Sequence, residues 1–301
     1  MLRFGTYVRA KSPQEAYELL CSKRGSRIVG GGGWMRLSTR PVGTVIDLTD
    51  CGLDAIDEVS DDPVFGRALR IGAYVTLGTF ERDGRVADAT DGAASCAVRD
   101  IVGVQFRNLV TVGGSVCGRF GFSDVCLLLL ALGADLEFVG GGRTSIEAFL
   151  LDTAPCRDVL THVIVPACPV RASYQAVRRQ ATDFPLINAC AARTERGWRV
   201  AVGARPGRPR LVAGASAGGG IEAKPATPSI SFDPTPEEVA AACSAAEGLV
   251  YSNNMLASGA YRREVAPVLV RRAIEAACGA ASLQGAASAA ADRPEMGEGA
   301  R

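Results

Sequence analysis

The 301-residue chain is long enough for two or three compact units, and its 48% hydrophobic and 22% charged content is that of a globular protein. Thirty-three basic residues against 32 acidic ones leave a net charge of +1, which removes any electrostatic case for nucleic acid or a membrane surface. The first residues show no apolar signal core, and the longest apolar run, "VCLLLLAL" at 125–132, falls far short of the ~18 residues a membrane span needs.

Ten cysteines lie scattered without a C-x-x-C, so they read as reduced thiols of a cytoplasmic protein. The spacing of Cys117 and Cys126 fits neither a zinc nor an iron–sulfur pattern.

In chain order, Ser12 caps a helix with Pro13 at its first position and Glu15 completing a capping box, and Ala16, Leu19 and Leu20 form its apolar stripe. "SRIVGGGG" reads as a short strand running into glycines, and "GTVIDLTD" as another strand. "ALRIGAYVTL" is a strand entering a Gly-Ala turn. Ala93, Ala94, Ala97 and Val98 predict a closely packed helix. "ADLEFVGGGRTSIEAFL" reads as a strand, a glycine turn and a short strand or helix, and "VLTHVIVP" as a buried strand ended by Pro166. Next comes an antiparallel unit with a hairpin near Glu195 to Gly197. A low-complexity stretch follows, then a helix capped by Thr235, Pro236 and Glu238. The last helix covers Gly259 to Cys278, where Pro267 predicts a kink or a late start. Strands and helices mix without regular βαβ spacing, so the fold class is α+β.

Two glycine segments, "VGGGGWM" and "TVGGSV", each follow a β-rich run. Either alone is explained by a tight turn. Together they suggest loops whose successive N–H groups cradle a diphosphate without lysine. A dinucleotide G-x-G-x-x-G starting at Gly30 or Gly31 fails at Met35 or Arg36, and around Gly113 it fails at Ser115. No lysine follows a glycine, so a P-loop is excluded as well.

The ordered set "RIVGGGGWMRLSTRPVGTVIDLTD", "ALRIGAYVTL", "QFRNLVTVGGSVCGRFGFSDVCLLLLALGADLEF" and "VLTHVIVP" resembles the FAD-binding (medium) subunits of molybdenum hydroxylases. Both the bacterial xanthine dehydrogenase FAD subunit and the carbon monoxide dehydrogenase medium subunit are of this type. The later segments "SYQAVRRQATDFPLINACAA" and "GAYRREVAPVLVRRAIEAA" are similar to that family's C-terminal domain, so the resemblance spans roughly Phe4 to Ala277. It implies a PCMH-type FAD-binding fold with subdomains at 1–52 and 53–168. A small α+β domain of the carbon monoxide dehydrogenase flavoprotein type follows at 169–280, with a flexible 213–231 and a disordered tail at 281–301.

By the same resemblance, Ile28, Val29, Gly30, Gly31, Gly32, Gly33 and Trp34 hold the diphosphate and ribose side of FAD, together with Thr111, Gly113, Gly114 and Ser115. Asp124, beside Ser123, caps the leucine-rich helix and accepts hydrogen bonds from FAD hydroxyls. Leu160 contacts the flavin, and Asp183 is an acidic residue of the C-terminal part of the site. Cys117 reads as a small residue near the ligand, with no second thiol adjacent in sequence. Trp34 either packs on FAD or fills an interdomain wall. The chain departs from the family at Gly32 and Gly33, where polar residues are usual, and at Ser115 for asparagine, Ala176 for lysine and Phe184 for tyrosine.

His162, the only histidine, reads as a partly buried strand residue, and the acidic run from Asp50 to Asp62 as a solvated loop. Arg178 and Arg179 suit either a diphosphate or a surface or subunit contact. No residue here serves substrate hydroxylation. The resemblance implies a molybdopterin-binding large subunit and a [2Fe–2S] small subunit, as a dimer of heterotrimers, with NAD as one acceptor. "TSIEAFLLDTAPCRDVLTHVIV" looks more like purine-type than carbon monoxide-type subunits. A carbon monoxide or N-heterocycle dehydrogenase subunit is the alternative, as is an assembly module that has lost FAD.

Overall fold

Three sheets organise the chain, whose computed structural model describes residues 3–167, 170–214 and 227–279. The first contains β1 (Phe4–Arg9), β2 (Arg27–Val29) and β3 (Val42–Asp47), with α1 (Pro13–Ser22) between β1 and β2 in sequence. β3 is central and parallel to both neighbours, so Asp47 is in register with Arg9 on one side and Val29 on the other. That register sets Asp47 beside the point where β2 runs into the glycines. Ser12 caps α1 as expected, but the Glu15 carboxylate accepts from the Lys11 N–H at 2.8 Å rather than closing a box on Ser12.

The second unit comprises β4 (Ile56–Asp62), β5 (Gly66–Gly72), α2 (Leu77–Arg82), α3 (Gly84–Ala89), α4 (Ala93–Val98), α5 (Val104–Arg107) and α6 (Val112–Cys117). It continues with α7 (Asp124–Leu132), β6 (Asp135–Phe138), β7 (Gly142–Ser145), α8 (Ile146–Leu151) and β8 (Leu160–Pro166). The sheet order is β4-β5-β8-β6-β7, with antiparallel neighbours throughout. Part of the acidic run is therefore strand β4 rather than loop. Asp62, buried at its end, accepts from Arg143 at 2.7 and 3.0 Å and from the Val64 and Phe65 N–H groups. Arg143 first, then those amides, hold its carboxyl at about 2 against the opposing effect of burial.

The third unit pairs β9 (Arg171–Val177), β10 (Ile187–Thr194), β11 (Gly197–Gly203) and β12 (Arg210–Gly214) in the order β12-β11-β10-β9, and adds α9 (Pro236–Glu247) and α10 (Gly259–Cys278). Thr194 faces Gly197 across the expected hairpin, and Gly197 takes the left-handed φ of 101° that the tight turn needs. Alternation along β10 divides the core. Ile187, Ala189 and Ala191 join the cluster under α9 and α10, whereas Cys190 and Ala192 join the cluster containing α7 from Val125 to Leu132. α7 is apolar all round because it lies between the helices of the second unit and the sheet of the third. The small side chains of β10 let it approach.

α9 carries the expected capping box of Thr235 and Glu238. α10 starts at Gly259 and continues through Pro267, so the late start is not found. β12 extends into the stretch expected to be flexible, and the Gly214 N–H donates to Pro228 O at 2.9 Å. Residues 215–226 of that stretch lie outside the described residues, as does the expected tail at 281–301. Among the described residues, no helix is long and apolar enough to cross a membrane.

Candidate functional site

β2 delivers Val29 to the edge of the first sheet, where the Tyr74 hydroxyl sits 2.8 Å from the Val29 carbonyl and 2.5 Å from Asp47 Oδ1. Burial works against ionisation of Asp47, but hydrogen bonds from Thr49, Tyr7 and Tyr74 outweigh it and hold the carboxyl at about 2. The chain then turns through Gly31 and Gly32, both left-handed, with φ of 69° and 66°. The N–H groups of Gly31, Gly32, Gly33 and Trp34 donate to no acceptor among the described residues. Consecutive unpaired amides in such a turn form a nest for an anionic group, which a phosphate fits.

The second glycine segment has another job. It is not a loop: Thr111 caps α6, its Oγ1 accepting the Gly114 N–H at 3.0 Å, and Gly113 and Gly114 are inside the helix. Val112 and Gly113 donate to Val75 O and Ala73 O, and Ser115 donates to Thr111 O. These amides are already satisfied, so the expected second nest is absent among them. A Cβ on Gly113 would stand 2.7 Å from the Ala73 Cβ, and one on Gly114 2.9 Å from Gly30 O.

The first segment answers in kind. A Cβ on Gly30 would meet Thr111 Oγ1 at 2.6 Å, on Gly31 Leu109 O at 1.9 Å, and on Gly33 Val110 Cγ1 at 2.6 Å. Four of the six glycines, Gly30, Gly31, Gly33 and Gly114, thus permit the two segments to pack against each other, and Gly113 permits packing on Ala73, rather than admitting a ligand directly. Gly32 alone has room, with Val29 Cγ2 at 3.6 Å as its nearest neighbour.

Above this junction, Trp34 lies 5.2 Å from Phe120, 5.2 Å from Phe122 and 5.5 Å from Phe184, ring centre to ring centre. Phe122 and Phe184 are 4.7 Å apart. One residue comes from the first unit, two from the α6–α7 connection and one from the third unit. Trp34 and Phe184 remain 40% and 38% exposed, so the group presents aromatic faces beside the amide nest. Trp34 thus stands where the three units meet, with part of its ring open. An anionic, ring-bearing cofactor fits this combination.

The role expected of Asp124 changes most. Ser123 is the cap of α7, accepting the Cys126 N–H at 3.2 Å, and Asp124 is the first helical residue, 4% exposed. Its carboxylate accepts from the Tyr174 hydroxyl, from Asn188 Nδ2 at 2.7 Å and from Arg178 Nη2 at 2.9 Å. Every one of these donors belongs to the third unit, so Asp124 joins domains instead of facing a ligand. Burial opposes the charge on Arg178, but Asp124 more than restores it and raises its pKa. Arg178 also donates to Asp183 O at 2.6 Å, which fixes the segment leading to Phe184. This guanidinium is buried, not a surface contact; Arg179 donates to Leu256 O.

Of the remaining candidates, Ile28 is half-buried in β2, and Ser115 donates its hydroxyl back to Thr111 O. Leu160 is buried in the core of the second unit, in register with Phe138, and not open to a ligand. Asp183 Oδ1 accepts the Phe184 N–H. Cys117 ends α6 as an exposed free thiol. Tyr74, Asp47, Phe120, Phe122, Tyr174 and Asn188 complete the surroundings. Only "GRFGFSD" carried a local signal, two aromatics either side of a glycine beside a helix start. Among the described residues, no three His, Cys, Asp or Glu side chains are grouped to hold a metal ion.

The family described as the FAD binding domain in molybdopterin dehydrogenase matches residues 2–168. The nicotine 6-hydroxylase medium subunit of Paenarthrobacter nicotinovorans is 29% identical over 285 residues, covering 89% of this chain and 95% of that protein. The carbon monoxide dehydrogenase of Hydrogenophaga pseudoflava has a chain of the same fold, with a TM-score of 0.74 at 21% identity over 91% of this chain and 97% of that one. Quinoline 2-oxidoreductase from Pseudomonas putida 86 gives 0.73 at 22% identity, over 92% and 98%. The free amides of Gly31 to Trp34, the aromatic faces next to them and the match over residues 2–168 agree, and the chain belongs to the FAD-binding domain family of molybdopterin dehydrogenases.

Proposed function

We propose that this chain is the electron-transfer subunit of a cytoplasmic, multi-subunit molybdenum hydroxylase acting on an aromatic N-heterocycle. The observation that carries the reading is the amide nest at Gly31 to Trp34 beside the exposed faces of Trp34 and Phe184. The nest amides bind the diphosphate, and the aromatic group covers one side of the cofactor and keeps water from it. Asp124 and Arg178 hold the Asp183–Phe184 segment in place across the domain boundary. When bound, FAD supplies exchange between one-electron donors and a two-electron acceptor. A molybdopterin-binding large subunit and a [2Fe–2S] small subunit complete the assembly, a dimer of heterotrimers, with NAD as one acceptor.

The segment from Thr144 to Val165 favours a purine such as xanthine, and the nicotine 6-hydroxylase medium subunit, similar over nearly its whole length, favours a pyridine ring. Both are N-heterocycles. The test is to purify the chain and record its flavin spectrum, then assemble it with its partner subunits and add xanthine, nicotine or carbon monoxide. Flavin in the purified chain and bleaching by a heterocycle are expected. A chain that never takes up FAD is an assembly module, and bleaching by carbon monoxide alone overturns the substrate class.

A further inference from the structure

β9 is an outermost strand of the third sheet, so every second N–H and C=O along it points away from β10. Ala172 shows which ones, because its N–H donates outward to Asp91 Oδ2 at 3.4 Å. By the alternation of the strand, the Tyr174 and Ala176 N–H groups point the same way. Neither donates to an acceptor among the described residues. Lysine, proline or a bulge ordinarily blunts such an edge. From Ala172 to Val177 the sequence "ASYQAV" has no lysine and no proline, and its register against β10 is unbroken.

That edge is one side of a cleft of about 580 Å³. The facing side is α4, with Ala93 and Cys96, followed by Arg99 and Asp100. One end is stopped by Asp91, which holds a left-handed φ of 51°, occupies the Ala172 N–H and lies 3.6 Å from Arg171. The other end is basic. Arg178 is spent on Asp124, and Arg99 has Asp100 at 4.0 Å. Arg179 is exposed, and among the described residues it meets a neutral carbonyl, Leu256 O, and no carboxylate.

We propose that this edge receives an extended, carboxylate-bearing segment of a partner subunit, which adds to the four-stranded third sheet as a fifth strand. The free backbone groups of Tyr174 and Ala176 bond to the segment, Asp91 sets where its pairing stops, and its carboxylate meets Arg179. A second copy of this chain does not fit the cleft, because its own β9 lies behind its own α4. The seated strand also bears on the flavin side of the fold. β9 carries Tyr174 and leads into Arg178, the residues that hold Asp124 and the Asp183–Phe184 segment. This inference rests on the multi-subunit reading of the chain.

Cys96, a half-buried free thiol in the α4 wall, reports on the cleft. The test is to alkylate the complete chain and the assembled enzyme with N-ethylmaleimide and follow Cys96 by peptide mass. Cys96 should react in the chain alone and be protected in the assembly. Ala176→Pro removes an outward N–H that β10 does not use, so the sheet survives. Assembly should then weaken ~fivefold, the value of about one backbone hydrogen bond. Arg179→Glu leaves the edge intact and reverses the charge, and it should weaken assembly even if the proline disturbs the fold. Cys96 equally reactive in chain and assembly, or both variants assembling as tightly as the unaltered chain, would overturn the proposal and leave the subunit reading standing. Protection that appears in the chain alone as its concentration rises would mean that a second copy takes the edge, and would overturn it too. A chain that joins no molybdopterin or [2Fe–2S] subunit sinks both.

Discussion

Asp124 Oδ2 lies 2.9 Å from Arg178 Nη2, and both side chains are more than nine-tenths buried. The contact joins the first turn of α7 to the end of β9, so it couples the second unit to the third. Removing one partner leaves the other charge buried and unpaired, at a cost of ~3–5 kcal/mol. Asp124→Ala is expected to lose that much stability in urea unfolding, whereas Asp124→Asn, which retains an acceptor for Tyr174 and Asn188, should lose less. The double variant Asp124→Leu/Arg178→Met should be more stable than Asp124→Ala, because neither charge is then stranded. Equal losses in all three would show that the charge pairing itself does not matter.

Gly31 and Gly32 share a left-handed backbone but differ in surroundings. A Cβ on Gly31 runs into Leu109 O, while one on Gly32 enters open space. Gly32→Ala should therefore cost only the left-handed strain, ~1–2 kcal/mol, and leave the junction with α6 intact. Gly31→Ala must push the two glycine segments apart and is expected to strip FAD from an otherwise folded chain. Flavin absorbance per chain after gel filtration distinguishes them. Similar flavin retention in both would show that segment packing does not build the nest.

Much of the fold was legible because its signals are local. Ser12 before Pro13, Thr235 with Glu238, and the Glu195–Gly197 hairpin each state their own boundaries. The site was legible as a pair of glycine segments, but not in how the work is divided between them. Whether a glycine serves a ligand or a neighbouring backbone depends on what lies opposite, and for Gly30 and Gly114 that is each other. Asp124 misled for a related reason. An acidic residue at a helix start is locally consistent with a cap, and its partners Tyr174, Arg178 and Asn188 lie 50 or more positions away. Tyr74 had no local mark at all.

His162 is the only imidazole in the chain, which makes its titration directly observable. Its Nδ1 is buried without a hydrogen-bond partner, and burial first, then the Arg70 charge, pushes the ring down to about 4. Between the unfolded value near 6.5 and about 4, the unfolded chain binds a proton that the folded chain refuses. Stability contributed by this group is thus fully present above pH 6.5, falls as the pH drops through that window, and is level below it. The single imidazole resonance should titrate near pH 4. His162→Gln should flatten the stability profile between pH 6.5 and 4, leaving the acid losses from Asp47 and Asp62, both held at about 2, unchanged. A resonance titrating near 6.5 would mean that the strand leaves this ring open to water.

Trp34 and Phe184 come from opposite ends of the fold and meet at 5.5 Å, each with part of its ring exposed. If these faces receive the cofactor, losing one should weaken binding by about the value of an aromatic contact, ~1 kcal/mol, or roughly five- to tenfold in Kd. Trp34→Ala should show that loss, and Trp34→Phe should recover most of it because the flat face returns. Phe184→Tyr should bind as well as the unaltered chain, since the added hydroxyl sits on a residue already 38% exposed. Titrating the apoprotein with FAD and following flavin fluorescence measures all three. The direction of change separates two uses of the aromatic group. Weaker binding in Trp34→Ala means that the ring supports the cofactor. Tighter binding means that Trp34, packed on Phe120 and Phe122, blocks the approach to the amides of Gly31 to Gly33 and must swing aside before FAD is seated.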